Sequence, residues 1–175
     1  MMKRSSGYLT AFIAHLLCLV FVAAPLLVSA QTDAVVLTGA QLARIVPPGF
    51  YFEGQSAPTQ MRNSAAARLG AKHHIVAGLV DTSGYSADVR ARYEGFLIVD
   101  APIHLGGQEL VTGAYGFGFT DDGKLNVFDV GGRQVLSVNA ENDTKLRRPR
   151  PLMMMRDQSG VRLYGGRRYV VVTAR

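Results

Sequence analysis

The chain has no tryptophan and only one cysteine, Cys18, which lies in an apolar run near the N-terminus. A lone cysteine excludes an intrachain disulfide, and past that run it leaves no thiolate metal site and no cysteine nucleophile. Histidines number four, and none stands in an H-E-x-x-H pair. His73 and His74 are neighbours, and neighbours on a strand point to opposite faces, so they are not expected to hold one ion together. His104 could join only one of them. The glycine run Gly113 to Phe119 lacks the following helix and the Lys-Ser/Thr pair of a phosphate loop. Gly54-Gln55-Ser56-Ala57-Pro58 ends in proline and follows no α/β pattern, so it is not a nucleophile elbow. The oxygen spacing of a calcium loop is absent around Asp121 to Asp129 and Asn139 to Thr144. No metal and no cofactor is expected, and the remaining classes lean away from catalysis.

The first thirty residues read as an address. Lys3 and Arg4 precede a mostly apolar stretch from Leu9 to Val28, and Val28-Ser29-Ala30 places small residues before Gln31. This is the pattern of a secretory signal peptide. A retained anchor is the alternative, because the run approaches spanning length. The expected organisation is a signal peptide over residues 1–30, an N-terminal segment with a short helix over 31–46, and a single β domain over 47–175. With Lys3 and Arg4 set aside, the nineteen basic residues still outnumber the thirteen acidic ones. An exported basic protein is not expected to meet nucleic acid. An anionic envelope polymer or another envelope protein is the expected partner, in the periplasm or outside the cell, with no membrane span once the leader is removed.

The centre of the chain is a meander. From Leu110 to Thr120, Val111, Tyr115, Phe117 and Phe119 share one strand face, and Gly116 and Gly118 leave the other nearly bare. Such glycines mark either a ligand platform or, more often, architecture. Asp121-Asp122-Gly123 then signals a hairpin. A two-residue loop pairs Phe117 with Phe128; a three-residue loop pairs Phe119 with Leu125 and Phe117 with Val127, and sets Phe128 over Gly116. The second is favoured, since it matches aromatic with aliphatic residues. A further hairpin turns at Gly131-Gly132.

Elsewhere, Gln31 to Val36 reads as a ragged terminus and Thr38 to Ile45 as a short helix capped by Thr38. Phe50 to Phe52, Met61 to Gly70, Lys72 to Asp81 and Gly95 to Val99 read as strands, and Lys72 to Asp81 as a central one because both faces are apolar. Ser86 caps a short helix through Tyr93. Pro102 to Gly107 reads as a loop, as does Asn139 to Pro151. Strands at Leu152 to Arg156 and Val161 to Tyr164 form a hairpin, and Arg168 to Thr173 closes the domain.

Two groups of residues are candidates for function. Arg62, Asn63, Asp81, Tyr85, Arg162, Tyr164 and Arg167 are polar residues beside small ones and could converge on a pocket, or else fix loops. Lys145, Arg147, Arg148 and Arg150 form the most basic run and, held extended by Pro149 and Pro151, could grip a polyanion. The competing expectation is that these cations pair with local acids such as Glu141 and Asp143.

The runs Gly49-Phe50-Tyr51-Phe52-Glu53-Gly54-Gln55, Gln60-Met61-Arg62-Asn63-Ser64, Gly78 to Tyr85 and Gly113 to Gly118 resemble a group of uncharacterised exported proteins from soil bacteria. The resemblance spans Pro48 to Val172 and implies export and a shared fold, with no activity to carry over. The chain is therefore expected to be all-β, a sandwich or small barrel of about eight to ten mostly antiparallel strands with one or two short helices. Its expected role is non-catalytic binding of a ligand or partner in the envelope. The alternatives are an assembly subunit using exposed strand edges and a hydrolase whose site is built from distant loops.

Overall fold

The structure is a computed structural model and describes residues 33–175; the expected signal peptide falls outside the described residues. The chain forms an all-β sandwich of two antiparallel sheets. The first sheet contains β1 (Ala34–Leu37), β2 (Gly49–Phe52), β3 (Gln55–Leu69), β4 (His73–Val80), β5 (Gly95–Val99), β8 (Gly113–Phe119), β9 (Lys124–Phe128) and β10 (Gln134–Asn139). Its order is β1-β3-β4-β5-β8-β9-β10, with β2 paired to β3. The second contains β6 (Ile103–Leu105), β7 (Gln108–Leu110), β11 (Glu141–Asn142), β12 (Arg150–Arg156), β13 (Val161–Gly166) and β14 (Arg168–Ala174). Its order is β12-β13-β14-β6-β7, with β11 paired to β14. Two short helices, α1 (Gly39–Ile45) and α2 (Ala87–Arg90), complete the described elements.

The first sheet buries both faces. Ile75 and Ala77 of β4, Leu97 and Val99 of β5, and Phe117 and Val127 meet Leu105, Leu163, Val170 and Val172 of the second sheet in the main core. The alternate residues Val76, Phe96 and Phe128 point the other way and meet Phe50, Phe52, Tyr85, Val89 and Tyr93 in a second core. Period-two alternation of a strand accounts for this division, and the doubly apolar β4 is central as expected. The outer layer is a stack of rings: Phe52 lies 4.0 Å from Tyr93 and Phe50 lies 5.1 Å from Phe96, centroid to centroid.

The meander takes the three-residue loop, with Phe119 opposite Leu125, Phe117 opposite Val127 and Gly116 opposite Phe128. Its bare face is not a ligand platform. A Cβ on Gly116 would come within 2.5 Å of the Phe52 ring, and one on Gly118 would meet the Arg92 carbonyl oxygen. The glycines are there so that the outer layer can lie directly on the sheet. Ser86 caps α2 as expected, its Oγ accepting from the Val89 amide at 3.4 Å. Thr38 precedes α1 in extended conformation, but its side chain makes no capping bond.

Four expectations need correction. Ala34–Leu37 is not a ragged end; it pairs with Ala66 to Leu69 and supplies Ala34 to the main core. Pro102 to Gly107 is not a plain loop, because Ile103 to Leu105 folds back on Gln108 to Leu110 as a hairpin. Asn139 to Pro151 is only partly a loop, since β11 and the start of β12 lie within it. Fourteen strands are present, more than the eight to ten expected, because short pieces such as β6, β7 and β11 satisfy backbone groups at the margins.

Candidate binding surface

The basic run is a strap around the tip of a hairpin. β13 and β14 pair antiparallel, with Tyr164 opposite Tyr169 and Gly165 opposite Arg168. β11 flanks β14 on one side, Glu141 opposite Tyr169, and β12 flanks β13 on the other, Arg150 opposite Gly166. The chain between β11 and β12 must therefore pass around the tip at Gly166 and Arg167. Gly166 takes a positive φ of 65° there, which glycine adopts without strain.

Asp143 fixes the root of this strap. Its Oδ1 accepts from the Lys145 amide at 3.0 Å, and its Oδ2 accepts from the Tyr164 hydroxyl at 3.0 Å. Its backbone amide donates to the Arg167 carbonyl at 2.9 Å. The Arg167 guanidinium returns bonds to the carbonyl oxygens of Asp143 at 3.4 Å and Leu146 at 2.6 Å. Beside it, the Tyr169 hydroxyl donates to Glu141 Oε2 at 2.6 Å. The two tyrosine rings lie 5.1 Å apart, and the Arg162 guanidinium sits 4.6 Å over Tyr169 while pairing with Asp157 at 2.9 Å. The hydrogen bond to Glu141, more than burial, raises the Tyr169 phenol above its usual range. For Tyr164 burial is the larger cause of a shift in the same direction.

The local acids are thus committed to tyrosines and backbone rather than to the strap's cations. Among the described residues, the side chains of Lys145, Arg147, Arg148 and Arg150 form no ion pair and no hydrogen bond. All four are exposed. The expected pairing with Glu141 and Asp143 does not occur, because burying two phenol rings requires partners for their hydroxyls.

The polar constellation read from the sequence divides in two. Arg162, Tyr164 and Arg167 do come together, on the outer side of the second sheet, as structural partners of the strap. Arg62 and Asn63 lie in a bulge of β3, where the register jumps between Thr59 and Ser64. Asn63 donates to Gln60 Oε1 at 2.8 Å, and Gln60 in turn donates to the Val80 carbonyl. Asp81 follows that carbonyl and accepts from the Ser83 amide at 3.0 Å, a bond that holds its carboxyl below the ordinary range. Tyr85 is buried in the outer core, its hydroxyl donating to the Gln55 carbonyl at 3.0 Å. No hydrogen bond or ion pair among the described residues joins the Arg62 group to the Arg162 group.

His73 and His74 also differ from expectation. Both Nδ1 atoms face the Asp100 carboxylate, at 3.6 and 3.2 Å. Asp100 lies just past the end of β5, opposite His74, so side chains from either face of β4 reach it. Among the described residues, no three His, Cys, Asp or Glu side chains form a group that could hold a metal ion. No helix among them is long and apolar enough to cross a membrane.

Tyr169, Glu141, Asp143 and Asp157 were not singled out from the sequence. A usable signal was present: once Gly165-Gly166 is taken as a turn, Tyr164 and Tyr169 face each other, and two phenols side by side call for nearby acids. No protein-family model, no curated protein and no solved structure matches the chain.

Proposed function

We propose that the protein is an exported, non-catalytic binding domain of the cell envelope, and that it grips an anionic polymer through Lys145, Arg147, Arg148 and Arg150. The observation that carries this reading is the strap itself: four exposed cations in seven residues, on a backbone anchored by Asp143 and Arg167, with the neighbouring acids already bonded elsewhere. Free cations on a fixed backbone lose little entropy and no competing partner when a polyanion docks. The leader read over residues 1–30 supports the envelope as the place of action.

The test is binding of dextran sulfate, with neutral dextran as control, by the wild type and by a variant with all four cations changed to alanine. A basic side chain near an anionic surface contributes about 1 kcal/mol, so the fourfold change is expected to weaken binding by about three orders of magnitude. Wild-type binding should also fall steeply as salt rises. Equal affinity of the two proteins, or affinity indifferent to salt, refutes the reading.

A further inference from the structure

Where the edge of the second sheet meets the first, β1, α1, β3 and β12 border a groove of about 250 Å³. Leu37 and Leu42 line one side, Ala65, Leu152 and Met153 the other, and Arg150 completes the lining. Arg150 is the last cation of the strap and has no acid partner among the described residues. A second observation comes from α1. None of its seven residues is buried; Leu42 is half-covered, and Ile45 remains 36% exposed. Leu42 and Ile45 are one helical step apart, so α1 turns an incompletely covered apolar side along the groove.

We propose that this groove takes one acyl chain of an anionic amphiphile, with the headgroup held at Arg150 and the adjoining strap. The lining suits a flexible chain: it is aliphatic, contains no aromatic ring, and includes thioethers that repack around irregular shapes. The volume is smaller than the roughly 300–1,000 Å³ of pockets that enclose a whole drug-sized ligand, so it fits part of a larger molecule. A single guanidinium at the end of an apolar groove complements a ligand that is apolar along its length and anionic at its head. The inference rests on reading the strap as an anion-binding surface, and it narrows the anion to one that carries an acyl chain.

Dansyl-labelled undecanoic acid is the probe, titrated against the purified protein and followed by its fluorescence. Dextran sulfate is titrated against the same preparations. Wild type should enhance and blue-shift the dansyl emission. Leu42→Glu, which places a charge in the groove, should weaken the probe at least about tenfold and leave dextran sulfate binding unchanged, a difference equivalent to about 1.4 kcal/mol. Met153→Lys, on the opposite wall, serves as the second variant should the first fail to fold. Arg150→Gln should weaken both ligands. If wild type binds dextran sulfate but not the probe, the groove inference falls and the strap reading stands. If a folded Leu42→Glu or Met153→Lys protein binds the probe as wild type does, the groove is not its site. If wild type binds neither ligand, both readings fall.

Discussion

Asp143 is the residue on which the strap depends, and Asp143→Ala is the most informative perturbation. The substitution removes two bonds made by the carboxylate, to the Lys145 amide and to the Tyr164 hydroxyl, both at 3.0 Å. Lys145 is exposed, so its amide turns to water at little cost. Tyr164 is 1% exposed, so its hydroxyl loses a partner inside the protein. An unsatisfied buried group costs about 1–3 kcal/mol, and with a small contribution from Lys145 the expected loss is about 2–3 kcal/mol. For a domain near this size that lowers the melting temperature by roughly 4–10 °C. Tyr164→Phe should cost less, about 1 kcal/mol, because it removes the hydroxyl together with its need for a partner. Urea unfolding of wild type, both single variants and the double variant closes a double-mutant cycle. A coupling of about 1 kcal/mol or more is expected for groups in direct contact. Asp143→Ala should also weaken dextran sulfate binding although no cation is removed. A coupling below about 0.3 kcal/mol, within ordinary additivity, would show that Asp143 does not anchor the strap through Tyr164.

Three further outcomes follow from the packing and the titrating groups. Gly118→Ala should destabilise more than Gly116→Ala, because a Cβ at Gly118 meets the backbone oxygen of Arg92 while one at Gly116 meets the movable Phe52 ring; a loss of about 1–3 kcal/mol is expected at Gly118, and equal melting temperatures for the two variants would contradict the layer arrangement. Asp129 accepts from the amides of Arg133 and Gly131, which hold its carboxyl below 3.8. Its contribution is therefore present above that value and lost as pH falls further, and Asp129→Asn should flatten the acid limb of a melting-temperature profile. Tyr169 is raised above 10.0, so its protonated form is favoured in the folded protein. Stability should decline as pH climbs past 10.0, and Tyr169→Phe should reduce that decline.

The fold was legible where side-chain pattern and turn chemistry agreed. Phe117, Phe119, Leu125 and Val127 could face one way only if the loop held three residues, and that register is the one adopted. Lys72 to Asp81 announced a central strand by being apolar on both faces. β1 and the β6–β7 hairpin were not legible for a physical reason. Ala34 to Leu37 is too short to show a period, and its strand character comes from the edge of β3 that it satisfies. Ile103 to Leu105 and Gln108 to Leu110 are three residues each, separated by Gly106-Gly107, and only their tertiary neighbours distinguish them from a loop. The outer core was hidden for another reason. Phe52 and Tyr93 stack over Gly116 and Gly118 from distant parts of the chain, and no local pattern records that contact.

The candidate surface was legible as composition and illegible as pairing, and the pairing is what gives it consequence. The hairpin of β13 and β14 buries Tyr164 and Tyr169 side by side, and each hydroxyl must find a partner. Asp143 and Glu141 meet that need, so a requirement of folding withdraws the nearest acids from the strap. The argument can be tested without touching a single cation. In the double variant Tyr164→Phe, Tyr169→Phe, both carboxylates lose their tyrosine donors and become available to Arg147, Arg148 and Lys145. Local neutralisation should then compete with an external polyanion. Dextran sulfate binding is expected to weaken by about tenfold, the equivalent of about 1.4 kcal/mol and within the range for newly formed charged contacts at a surface. The salt dependence should become shallower in parallel, since fewer cations remain to exchange counterions. Unchanged affinity and slope in a stably folded double variant would mean that the tyrosines play no part in keeping the strap free.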